Sequence, residues 1–174
     1  MESKAQNPLW RLPAYHITLF AITSDSNEAT VANLWSIIVG ASLPADSNYR
    51  VSVRRDVPVI EVYETRPAPS TTNPSPLNPG DWVQRLIFQV QYQRSSNEGY
   101  KRGSVLANGD KGFYGAVAAG RKVRLFGYNG RDELDAAQRF VWLDDEYIDV
   151  GNESGCLELM RWLGFVKDSG WDYP

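Results

Sequence analysis

The chain of 174 residues holds one cysteine, one histidine and two methionines, and it contains no long apolar run. With Cys156 alone, no intramolecular disulfide can close and no cysteine-based zinc or iron–sulfur site can assemble within one chain. That usage fits a reducing environment, so an intracellular and cytoplasmic location is expected. Residues 1–15 carry Lys4 and Arg11 but lack the apolar stretch of roughly 7–15 residues that a secretory signal needs. Runs such as Ile37–Val39 fall far short of the ~20 residues that span a bilayer, so no membrane partner is expected.

The single histidine removes further chemistry. His16 stands in Tyr15-His16-Ile17-Thr18, a His-x-Thr form used by two-histidine phosphoesterases, but a second histidine to complete the acid–base pair does not exist. Cys156 paired with His16 would be a nucleophile on the same logic, yet Leu157, Leu159 and Met160 around it read as an inert core thiol. Gly151-Asn152-Glu153-Ser154-Gly155 misplaces its serine for a nucleophile elbow and reads as a helix cap. Gly109, Gly112 and Gly115 match neither phosphate-cradling glycine pattern, and the acids Asp144, Asp145, Glu146, Asp149 and Glu153 lack calcium-loop spacing. No metal site and no cofactor is expected.

What is present is aromatic content and a divided charge. Six Trp, nine Tyr and six Phe occur in a chain that is 43% hydrophobic. Residues 81–131 carry nine Lys/Arg against three Asp/Glu, while residues 132–174 carry three against eleven. Mutual neutralisation in the fold is the first reading, and a basic face toward an anion is the second. Lys111-Gly112-Phe113-Tyr114-Gly115-Ala116-Val117 partly echoes the aromatic strand of RNA-recognition domains, without the order of elements that those domains need.

Patterning along the chain predicts a strand over His16–Thr23, then a helix opened by a capping box from Asp25 to Glu28, with Val31, Leu34, Trp35, Ile38 and Ala41 on one face. Tyr49–Tyr63 reads as extended, with Pro58 at an edge or bulge. Residues 66–80 hold five of the ten prolines and read as an exposed loop within a single domain, 1–174. In Trp82–Arg94, Leu86, Phe88, Val90 and Tyr92 alternate with amides, giving one apolar face and one solvent face. A meander through 104–106, 113–118 and 122–128 follows. A helix is expected over 132–142, although Phe140-Val141-Trp142-Leu143 could equally start a strand, and another helix after Asn152 or Ser154 with Leu157, Met160, Leu163 and Gly164 on one face.

The expected class is α+β: a curved antiparallel sheet of about five to six strands packed against two to three helices. The order of elements suggests an architecture of the cystatin or nuclear-transport-factor kind. The function expected from it is a small binding module whose aromatic-lined cavity or face takes a small apolar ligand or a protein partner, through Tyr92, Phe113 and Tyr128. The alternative is a cofactor-free lyase or isomerase in the concave face of the sheet, with His16, Glu61 and Tyr63 as catalytic candidates. The third is single-stranded nucleic acid bound through residues 81–131, with Arg121, Lys122 and Arg124 as contacts; it is the least favoured.

Overall fold

The computed structural model describes residues 8–23, 26–44, 48–54, 58–76, 78–93, 111–130, 140–143 and 146–172. A curved, mostly antiparallel open sheet carries three α-helices on one face.

The first element corrects the sequence reading. His16–Thr23 is not a strand; a short 3-10 turn, Leu9–Arg11, leads into helix α1, Pro13–Ala21. Pro13 occupies the first helical position, where its missing N–H costs nothing and its fixed φ suits the helix. The Thr18 hydroxyl donates to the Ala14 carbonyl at 2.9 Å. The segment carries no charge to mark an outer face, so its helical period is invisible beneath its β-branched and aromatic content. Tyr15, Thr18 and Leu19 point inward, and the Tyr15 hydroxyl donates to the Val150 carbonyl at 2.5 Å.

Helix α2 spans Glu28–Ser42 and buries Val31, Leu34, Trp35, Ile38 and Val39. Its cap is Asn27, whose Oδ1 accepts from the Thr30 N–H at 2.9 Å; the expected cap, Asp25, lies outside the described residues. Helix α3, Glu153–Ser169, is capped by Asn152, whose Oδ1 accepts from Gly155 N at 2.8 Å. Its inner face is Cys156, Leu159, Leu163 and Val166; Leu163 was expected there, while Leu157 and Met160 give way to Cys156 and Leu159 one position before them, and Gly164 is exposed.

Seven strands are described: β1 (Tyr49–Arg54), β2 (Val59–Pro67), β3 (Trp82–Gln93), β4 (Phe113–Ala119), β5 (Lys122–Tyr128), β6 (Phe140–Trp142) and β7 (Ile148–Asp149). Their order is β1-β2-β3-β4-β5-β6, with β7 also on β5. Two features depart from the expected meander. β3 and β4 run parallel where an antiparallel pair was expected, and the strand expected at 104–106 lies outside the described residues. Residues 140–142, expected in the helix but equally able to start a strand, are β6 and pair with Phe126–Tyr128, while 132–139 lie outside the described residues. The β4–β5 turn uses Gly120 at φ +58°, a left-handed conformation that suits glycine.

Arg66 and Pro67 still pair with Val83 and Trp82, so the proline-rich connection begins at Ala68. It is tied at its base: Ala68 N donates to Asp81 O, Ser75 N to the Asp81 carboxylate, and the Trp82 indole to Ser75 O.

The helix-covered face of the sheet is a filled core. Ile60, Val62, Phe88, Val90, Tyr92, Ala116, Ala118, Val123 and Leu125 meet Trp35, Ile38, Leu159 and Leu163. The gap beneath α3, bounded by Phe88, Tyr114, Leu125, Trp162 and Leu163, is too small to admit water.

Candidate binding face of the sheet

Period two in the strands sets a second face, away from the helices, and a bulge decides which residues reach it. Between Val62/Phe88 and Tyr63/Leu86 the β2–β3 register slips, leaving Ile87 as an extra residue. Beyond the slip the alternation of β3 inverts. Ile87 and Phe88 therefore both join the helix-side core, while Leu86 turns to the far face. The expected single stripe of Leu86, Phe88, Val90 and Tyr92 is thus broken at Leu86.

The ladders align one continuous row across the far face: Ser52 opposite Glu61, Glu61 opposite Gln89, Gln89 opposite Gly115, Gly115 opposite Phe126, and Phe126 opposite Trp142. The β1–β3 half of this row is polar and the β4–β6 half aromatic. Glu61 and Gln89 are only 6% and 3% exposed. The far side of β3, read as a solvent face, is therefore buried at Gln89.

Glu61 and Tyr63, two apart on β2, share this face, and the Tyr63 hydroxyl donates to Glu61 Oε2 at 3.1 Å. Burial first, and then the Glu61 carboxylate, hold the phenol above its ordinary pKa. Arg50 and Arg54 oppose this slightly, and the register puts Arg50 across from Tyr63.

In the aromatic half, Leu86, Phe113, Val117, Phe126 and Tyr128 form a second apolar cluster with Tyr63 and Trp142 against it. Phe113 lies 5.0 Å from Tyr128 and 6.4 Å from Phe126 between ring centres, and Phe126 meets Trp142 edge-on at 6.1 Å. The Arg124 guanidinium sits over the Trp142 ring at 4.3 Å and within 5.9 Å of Tyr147.

The remaining candidates are dispersed. His16 belongs to the helix layer, its Nε2 2.5 Å from the Trp10 carbonyl and its ring against Trp10, Tyr15 and Phe20; it does not meet Glu61 and Tyr63. Tyr92 lies in the helix-side core, apart from Phe113 and Tyr128. Arg121 and Lys122 are exposed at the β4–β5 turn, with Lys122 paired across the strands to Asp149 and Arg121 beside Gly151, while Arg124 is turned to the aromatics. Asp144 and Asp145 lie outside the described residues. Buried Glu64 accepts from Arg66 at 2.6 Å through one oxygen, and its second oxygen has no hydrogen-bond partner among the described residues.

Gln89 and Trp142 were not candidates in the sequence, where Gly115 entered through its glycine spacing and Phe126 beside the basic segment. The available signal was the alternation of β5, which puts Phe126 and Tyr128 on one side together with Arg124. Among the described residues, no group of three or more His, Cys, Asp or Glu is placed to hold a metal, and no helix is long and apolar enough to cross a membrane. Compared with known proteins, the chain matches no family model, no curated protein and no solved structure.

Proposed function

We propose that this chain is a cytoplasmic binding module whose far sheet face takes a small ligand with a flat apolar body and one hydrogen-bonding end. The observation that carries the reading is the buried pair Glu61 and Gln89, opposite one another across β2 and β3 and in one row with Phe126 and Trp142. Burying a carboxylate and an amide is costly unless they are hydrogen-bonded, and a few polar groups converging beside aromatic surface is the usual make-up of a small-molecule site. The aromatic half, whose Phe113, Phe126 and Tyr128 are buried, would have to part to receive the body of the ligand, with Gln89 and the Glu61–Tyr63 pair at its polar end. A reducing location accords with the single buried thiol of Cys156.

A second reading, acid–base catalysis by Glu61 and Tyr63, has their hydrogen bond in its favour. A phenol held above its ordinary pKa stays protonated at neutral pH, which suits a donor and makes a poor base. Binding is the stronger reading because Glu61 and Tyr63 engage one another and His16, the remaining acid–base candidate, lies in the helix layer.

Saturation-transfer NMR with a panel of aromatic amides and phenols tests it. Binders should appear in the unaltered chain and disappear with Gln89→Met, which keeps the side-chain length and removes the amide. No binder at all, or binders indifferent to that change, would reject the site.

A further inference from the structure

The outer surface of the first two helices is almost free of charge. Across residues 8–44 the charged side chains are Arg11, Asp25 and Glu28, and Asp25 lies outside the described residues. On α1, Ile17 is 72% and Phe20 82% exposed, with Leu12 at 38% and Pro13, Ala14 and Ala21 exposed around them. Single exposed apolar side chains are ordinary, but a contiguous apolar helix face marks a contact surface.

The two helices form a hairpin. A six-residue connection joins them, the Ser26 hydroxyl donates to Ala21 O, and Asn33 Nδ2 donates to Thr18 Oγ1 at 3.5 Å, near the middle of both flanks. Ile17 and Phe20 therefore make a ridge on α1. Beside it α2 turns small side chains outward at Ala29, Asn33 and Gly40, and a methyl added at Gly40 would meet nothing within 4 Å.

Arg11 stands just before α1 and Glu28 opens α2, so the two exposed charges occupy opposite ends of the hairpin. A bilayer is a poor occupant, because an interfacial helix is normally rimmed by several basic residues and this surface offers Arg11 balanced by Glu28. A second copy fits better. A two-fold axis in the plane of contact, perpendicular to the helix axes, packs the Ile17–Phe20 ridges of the two copies against one another and brings each Arg11 to the Glu28 end of its mate.

We propose that the chain forms a two-fold dimer through the outer faces of α1 and α2. Sedimentation velocity on the full chain at low and high micromolar concentrations should give a species of twice the 19.6 kDa chain mass. Phe20→Glu should yield monomer with an unchanged helical circular dichroism spectrum. Should that variant not fold, the charge exchange decides: Arg11→Glu and Glu28→Arg singly should each weaken association by about tenfold or more, which is about 1.4 kcal/mol, and together restore it. A monomer at every concentration, a dimer that survives Phe20→Glu in a folded chain, or single charge variants that their combination does not rescue would overturn the proposal. Sedimentation with anionic phospholipid vesicles that depends on Phe20, in a chain otherwise monomeric, would overturn it in favour of the bilayer.

Discussion

The Phe126 ring lies over the backbone of Gly115, its cross-strand partner: a methyl group at Gly115 would stand 2.2 Å from Cζ and 2.6 Å from Cε2. No real contact of that kind is tolerated, so glycine is what allows the ring to lie on the sheet and to reach Trp142 and Phe113.

Gly115→Ala is expected to destabilise the chain by about 1–3 kcal/mol, the usual cost of overpacking. Adding Phe126→Ala should recover part of that loss, so the two changes together cost less than their sum. Urea melts of the single and double variants measure the coupling. Simple additivity would mean that the ring does not rest on Gly115.

Neighbouring residues on β3 face opposite sides, and both sides are buried. Phe88→Ala should cost about 3–5 kcal/mol through the cavity left in the helix-side core. Gln89→Ala, at a position that reads as solvent-facing in the sequence, should cost about 1–3 kcal/mol, because it removes a buried amide opposite Glu61. A negligible loss at Gln89 in denaturant melts would show that the far face is open to water.

The cap of α3 separates two sequence candidates. Asn152→Ala should lose about 1 kcal/mol with the bond to Gly155 N, whereas Ser154→Ala, exposed inside the first turn, should change stability by less than about 0.5 kcal/mol. Thermal melts that rank them the other way would move the cap.

Tyr15 gives stability an alkaline limit. Burial, then the nearby Cys156 and Asp149, push its pKa well above the ordinary phenol value, and Tyr49, Tyr63 and Tyr92 shift the same way. The protonated phenol is the form the fold prefers, so its contribution is fully present below the unfolded phenol value of about 10 and is lost as pH rises through the higher folded value. Tyr15→Phe should lower stability at neutral pH by about 1 kcal/mol through the lost bond to Val150, and should make the fall above pH ~10 shallower. An alkaline limb unchanged in Tyr15→Phe would assign that limit to other groups.

Much of this fold was legible because it obeys local rules. Period two in β3 is visible because amides alternate with apolar residues there, and the 3.6-residue period of α2 because that helix has one wet and one dry face. α1 was misread because Ile17 and Phe20 are exposed apolar residues, and an apolar surface erases the contrast on which periodicity depends. The bulge at Ile87 was hidden because one extra apolar residue in an apolar strand leaves no mark. At the candidate site, the shared face of Glu61 and Tyr63 follows from their spacing alone, whereas the burial of Gln89 is a tertiary fact. The neighbouring amides of that strand read as solvent-facing.

The parallel pairing of β3 with β4 has a kinetic consequence. Before the 94–112 connection the chain holds α1, α2 and the β1–β2–β3 ladders; after it come the β4–β5–β6 ladders, β7 and α3. Each portion can zip up from neighbours close in sequence. The β3–β4 ladder instead joins Phe88 to Tyr114 and Gln93 to Ala119, partners 26 residues apart at every rung. Closing a loop of that size costs entropy before any hydrogen bond repays it. The expected order of assembly is two half-sheets first and their shared seam last, so the seam, which runs beneath Gln89 and Gly115, is where the rate of folding is set.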